Sequence, residues 1–175
     1  EGPKSPRVSR QVVGLDGWAW LVVDTARDGG VDPRLESLWT FDPSLFVNAL
    51  SSGDTGFEIS PRGKKCALDF RVADTPSKPT TRTIVGQKSP FGGWLMKDGA
   101  PSSTTAIEVR SASNAAVLLA FVVAVGPAEI IFLARAANGG EFRIAVQEEL
   151  YFAFAPPARA IRAVREVSAD VLASA

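Results

Sequence analysis

The feature that most constrains this chain is the spacing of its apolar residues, which recur at every second position rather than at the helical period of about 3.6. Cys66, Leu68, Phe70 and Val72 share one side of an extended stretch whose other side carries Lys65, Asp69 and Arg71. Phe142, Ile144 and Val146 alternate in the same way with Glu141, Arg143 and Gln147. Strands of this kind are half-buried and belong to antiparallel sheets with one wet face. Trp18, Trp20 and Val22 alternate with Ala19, Leu21 and Val23, so this stretch is apolar on both sides. It is expected to be covered on both faces, with both tryptophans in the core. Leu38 and Thr40 alternate with Trp39 and Phe41, which leaves the face of Trp39 open.

Turn residues divide these runs. Asp28-Gly29-Gly30, Ser52-Gly53-Asp54, Pro61-Arg62-Gly63, Gly92-Gly93, Gly126-Pro127 and Asn138-Gly139-Gly140 separate short segments. Asn-Gly-Gly between residues 130–135 and 141–147 predicts a hairpin, because those residues tolerate positive φ. About ten or more strands without a repeat of fixed period predict an all-β fold, an antiparallel β-sandwich of stacked sheets. Residues 1–157 make up the sandwich domain, and residues 158–175 a C-terminal strand or helix and tail. Ile161, Val164, Val167 and Val171 fall at the spacing of a short helix, while residues 161–167 would serve equally as a strand. Residues 74–79 and 97–105 read as long surface loops, where function tends to sit.

Several function classes are excluded by what is missing. The 175 residues contain no histidine, which removes Ser-His-Asp and Cys-His nucleophiles and the usual imidazole acid/base. The one cysteine, Cys66, cannot make an internal disulfide or a thiolate zinc site and reads as a buried, inert thiol. Asp24, Asp28, Asp32 and Glu36 form an acidic series that matches no calcium loop, so it reads as a solvated turn. No metal and no cofactor is expected. Nineteen basic residues balance nineteen acidic ones, so neither nucleic acid nor an anionic membrane is an expected partner. The longest apolar run, residues 115–125, is the length of a long strand and falls short of the roughly 20 residues a membrane helix needs. The opening Glu-Gly-Pro-Lys-Ser-Pro has no signal-peptide pattern and reads as the cut edge of something longer.

Three segments, in order, resemble the C-terminal sheet domain of the heparinase II/III-like polysaccharide lyases. The first is Arg10 followed by Trp20-Leu21-Val22-Val23-Asp24, like the family's arginine and then a hydrophobic strand ending in aspartate. The second is Leu38-Trp39-Thr40-Phe41-Asp42-Pro43, like the family's aromatic strand before a proline. The third and most specific is Gly86-Gln87-Lys88-Ser89-Pro90-Phe91-Gly92-Gly93-Trp94, followed by a polar loop to Pro101 and the apolar run 115–125. The resemblance covers about residues 7 to 125. It implies a β-sandwich packed behind an α-helical toroid, with an anionic polysaccharide cleaved between them by β-elimination. It also implies a bacterial protein, periplasmic or secreted. No part of the chain looks like the toroid, which supplies most of the family's catalytic machinery. Residues 30–41, where several members carry histidines, have none. The resemblance therefore implies a sheet domain with no catalytic residue and no metal of its own.

Four residues stand out as substrate-binding candidates. Trp39 and Trp94 offer indole faces for a sugar ring, against the alternative that both pack in the core. Arg82 and Lys88 flank the third segment and suit carboxylate or sulfate groups, against the alternative of a solvated strand face. Lys64-Lys65 reads as a turn exit. Tyr151, the single tyrosine, lies in Leu-Tyr-Phe-Ala-Phe and reads as a core or edge residue with its hydroxyl at the rim. The expected partners are an anionic polysaccharide or oligosaccharide and a helical toroid, or a second copy of the chain. The competing reading is a stand-alone carbohydrate- or protein-binding sandwich, which would expose Trp39 and Trp94 on a flat face.

Overall fold

The computed structural model describes residues 7–27, 35–50, 55–61, 68–75, 78–89, 91–111, 118–136, 139–147, 149–155 and 160–165. Every regular element among them is a strand. In chain order these are β1 (Arg7–Leu15), β2 (Ala19–Arg27), β3 (Glu36–Thr40), β4 (Leu45–Ala49), β5 (Gly56–Pro61) and β6 (Leu68–Val72). Next come β7 (Thr80–Val85), β8 (Gln87–Lys88), β9 (Phe91–Gly92), β10 (Trp94–Lys97), β11 (Ala100–Ser103) and β12 (Thr105–Arg110). The last are β13 (Leu118–Val125), β14 (Ala128–Ala136), β15 (Gly139–Val146), β16 (Glu149–Ala155) and β17 (Arg162–Arg165). The fold is all-β and sandwich-like, as the period-two spacing predicts. No helix among the described residues is long and apolar enough to cross a membrane.

A six-stranded antiparallel sheet, ordered β1-β2-β13-β6-β5-β4, forms the middle layer. One of its faces packs on the four-stranded sheet β14-β15-β16-β17, the other on the three-stranded sheet β3-β12-β7. Between the middle layer and β14–β17 lie Leu21, Val23, Ala120, Val122, Phe142 and Ile144. Opposite, Val22, Phe57, Phe70, Leu119 and Phe121 meet Ile107 and Val109. Two cores on one sheet explain why β2 and β13 are apolar at successive positions: each strand faces a neighbour on both sides. Asp69, buried in the middle sheet, accepts the backbone N–H of Ala128 at 3.0 Å and so ties the first residue of β14 to it.

Two expectations need correction, and one left open is settled. Trp18 and Trp20 are not core residues, being 61% and 41% exposed. Trp20 shares its face with Val22, but it stands at the end of β2 next to the β1–β2 turn, where that face is open. Gly14, paired with Trp20 across β1, has open space where a side chain would stand. Residues 97–105 are not a long loop. β10 and β11 pair through a two-residue turn at Asp98 and Gly99, whose φ values of 51° and 80° suit Asp-Gly in a tight hairpin. The tail open between helix and strand forms strand β17, paired with β16. Residues 166–175 lie outside the described residues, as do Asp28, Asp32, Lys64, Lys65 and Cys66. The hairpin expected around Asn138-Gly139-Gly140 is present as β14 and β15, with a bulge between Phe132 and Ala134.

Candidate functional site

The three sequence segments singled out above fold against one another. Arg10 and Asp24 are cross-strand partners in β1 and β2. The Arg10 Nε and Nη2 atoms each donate to one oxygen of the Asp24 carboxylate at 2.7 Å, and Nη2 also donates to Ser37 Oγ of β3. Asp24 is buried, and a buried carboxylate is tolerated only with such partners. The hydrogen bonds to Asp24 raise the Arg10 pKa further, so the guanidinium stays charged. Its flat face lies 4.8 Å from the centroid of the Trp39 ring.

Trp39 is half-buried, edge-on to Phe70 at 5.0 Å and to Phe121 at 5.2 Å. Its Nε1 is buried without a hydrogen-bond partner among the described residues. Arg82 lies on the other side of the same sheet. It stands opposite Glu108 in register and holds that carboxylate through Nε at 2.6 Å and Nη2 at 3.1 Å. Arg110 reaches both Glu108 and Glu36. The Arg82 hydrogen bond holds the Glu108 carboxyl below its ordinary value against the effect of burial. The structure therefore separates Trp39, which faces the core, from Arg82, which is engaged with a carboxylate on the outer face.

Trp94 and Lys88 do come together, on an arm made of β8 to β11. The arm is anchored where Gly86, Gly93 and Thr104 cross. Gly86 N–H donates to Gly93 O at 3.1 Å, and Thr104 N–H donates to the same oxygen at 2.8 Å. Thr104 Oγ1 in turn donates to Phe41 O, tying the crossing to the residue that follows β3. Gly86 and Gly93 take φ values of 50° and 70°, the left-handed region that favours glycine. Trp94 is half-buried on this arm, and its Nε1 donates to Gln87 O at 3.0 Å. Phe91 stacks on Trp94 with ring centroids 6.5 Å apart and planes 17° from parallel. It is 74% exposed. Lys88 pairs with Phe91 across the β8–β9 ribbon, is exposed, and has no ion-pair partner among the described residues.

Sequence reasoning missed Phe91. Its signal was present: a large apolar residue in a run of turn formers, with no alternating partner to place it in a core. It missed Trp18 and Trp20 as surface residues as well. Two shallow surface grooves lie elsewhere. One of about 330 Å³ includes Thr55, Arg71 and Glu129. The other, of about 250 Å³, lies on the outer face of β14–β17 between Leu133, Phe152, Phe154 and Val164. None of the four sequence candidates lines either groove.

Tyr151 sits at the rim of the core, 5% exposed, with its hydroxyl donating to Asp16 Oδ2 at 2.7 Å. Burial first, then the hydrogen bond and charge of Asp16, push its pKa up to about 12. A folded value above the unfolded one of about 10 means the neutral phenol stabilises the fold fully below pH ~10. That contribution is lost as the pH rises through 12. Because this is the single tyrosine, tyrosinate absorbance reads it alone. The native protein is expected to ionise with a midpoint well above a free tyrosine, and Asp16→Asn to lower that midpoint. A native midpoint at the ordinary value would remove the assignment.

The scan against protein-family models, the search of curated proteins and the search of solved structures each return no match to this chain.

Proposed function

We propose that this chain is a non-catalytic sheet domain of the kind that closes a heparinase II/III-like polysaccharide lyase, forming one wall of a groove for an anionic polysaccharide. The observation that carries this reading is the convergence of its three motif segments. Arg10 and Asp24 of the first lie under Trp39 of the second. The third is tied through Thr104 to Phe41, two residues after Trp39. Residues that match a family in order and also fold into one contiguous unit are better support than the same residues scattered.

Docking on a helical partner has its own support. Val8, Val12 and Trp20 stand exposed at 64%, 58% and 41% on the face of the β1–β2 hairpin that also carries the Arg10–Asp24 pair, and Trp18 in the adjoining turn is exposed as well. Exposed apolar residues grouped around an internally neutralised ion pair suit an interaction surface. Catalysis is assigned to the missing partner on chemical grounds. Elimination needs a base that works at neutral pH. Tyr151, with its pKa near 12 and its proton committed to Asp16, is ill suited as that base. The reading carries with it a periplasmic or secreted location.

The test is a titration of the chain with alginate, heparan sulfate and hyaluronan fragments, followed by tryptophan fluorescence and, in parallel, by the absorbance of the unsaturated uronate product. Saturable binding without new absorbance is expected. Absence of binding to all three overturns the groove-wall reading, and turnover overturns its non-catalytic part. The exposed pair Trp18 and Trp20 favours a second reading, a binding module acting alone. It predicts that Trp18→Ala and Trp20→Ala abolish saccharide binding, whereas docking on a helical partner predicts that they leave it intact.

A further inference from the structure

We propose that Phe91 and Lys88 form a subsite for one acidic sugar unit, the sugar ring lying on the open face of Phe91 and its carboxylate or sulfate meeting the Lys88 ammonium. The inference rests on the groove-wall reading and names the part of the chain that touches the saccharide.

A phenylalanine that is 74% exposed gains little from the hydrophobic effect where it stands. The fold nevertheless holds it in place. The Trp94 ring lies nearly parallel to it in an offset arrangement, with centroids 6.5 Å apart, and most of the Phe91 ring stays open to solvent. Trp94 is itself fixed by its hydrogen bond to Gln87 O, and the turn is closed by Gln87 Nε2 donating to Ser89 O at 2.7 Å. The crossing of Gly86, Gly93 and Thr104 then anchors the whole ribbon. An aromatic face held rigidly in water loses little conformational freedom when a flat, partly apolar ring covers it. Beside it, Lys88 is the cross-strand partner of Phe91, so both side chains leave the same face of the ribbon. Lys88 differs here from Arg10, Arg82 and Arg110, which are all engaged with carboxylates of the chain. A ring with an apolar face and an anionic substituent matches both groups, and a uronate or a sulfated sugar is such a ring.

Trp94 is a positioning residue in this scheme. It keeps the Phe91 ring oriented and does not itself meet the ligand.

The experiment measures affinity by calorimetry for alginate, heparan sulfate and hyaluronan oligosaccharides at low and high salt, with the wild-type chain, Phe91→Ala, Phe91→Trp and Lys88→Gln. Both positions are exposed, so all variants are expected to fold with unchanged thermal midpoints. Phe91→Ala should weaken binding about tenfold without altering its salt dependence, and Phe91→Trp should retain it. Lys88→Gln should weaken it several-fold and flatten the salt dependence, because an ion pair is what salt screens. Wild-type binding that neither Phe91→Ala nor Lys88→Gln changes overturns the subsite and leaves the groove-wall reading standing. No wild-type binding to any of the three oligosaccharides overturns the groove-wall reading, and the subsite with it.

Discussion

Phe70→Ala is expected to cost about 3–5 kcal/mol of stability. Phe70 is fully buried in the middle sheet and faces the three-stranded layer. Its ring is edge-on to Trp39 at 5.0 Å and to Phe57 at 6.2 Å, and lies tilted beside Phe121 at 5.6 Å. Phe41 adds a further edge contact at 6.4 Å. Truncation removes the transfer free energy of the ring and leaves a cavity between β-strands whose backbone pairing keeps them from closing over it. It also removes the support beneath Trp39, and with it part of the surface on which Arg10 rests. Chemical denaturation of wild type and variant measures the difference. Trp18→Ala serves as the contrast: at 61% exposure it should shift stability by no more than about 0.5 kcal/mol. If the two variants lost equal stability, the assignment of Trp18 to the surface and Phe70 to the core would fall.

Gly93→Ala is the second large effect, and its origin is backbone rather than core. A Cβ at this position would lie 2.6 Å from Thr104 O, 2.7 Å from Gly86 N and 2.8 Å from Ile84 O. All three are backbone atoms, so no side chain can swing aside to make room. The φ of 70° adds the ordinary cost of placing an L-residue in the left-handed region, about 1–2 kcal/mol. Together these predict a loss of about 3–5 kcal/mol, or a fall of roughly 10 °C in the thermal midpoint for a chain of this size. Gly99→Ala separates the two contributions. Gly99 takes a φ of 80° but has nothing within 4 Å of its would-be Cβ, so only the conformational cost of about 1 kcal/mol applies. Amide exchange should locate the Gly93→Ala damage in β7 to β12, since the crossing couples the arm to the outer sheet. A Gly93→Ala protein as stable as Gly99→Ala would mean that the crossing does not anchor the arm.

Much of the fold can be read from the chain because strand alternation is a local property. The period-two pattern at residues 68–72 and 142–146 identifies strands, since a side chain's neighbours at two positions' distance decide which face it shares. Turn chemistry is equally local. Asn138-Gly139-Gly140 announces the β14–β15 hairpin, and Asp98-Gly99 announces β10–β11 just as clearly, although its polar surroundings read more readily as a loop. The arm's glycines at 86 and 93 can be read as turn formers, but not as the point where three junctions between strands hydrogen-bond to one another.

What the chain alone does not contain is how far one layer covers another. Trp20 and Val22 occupy equivalent positions in the β2 pattern, yet one is exposed and the other buried. The difference arises because the layer across the sheet meets Val22 and not the end of β2 where Trp20 stands. Pairing across long stretches of sequence is likewise tertiary. Arg82 meets Glu108 across 26 positions, and this turns a candidate ligand cation into half of an internal ion pair. Trp39, whose face the alternation left open, becomes a lid on Phe70 and Phe121 from two distant strands. Sequence by itself therefore determined the strands, their turns and the all-β class, since each depends on neighbours along the chain. Only the stacking of the sheets decided which tryptophans are buried, which cations are free and that Phe91 stands open, because those depend on what lies across the layer.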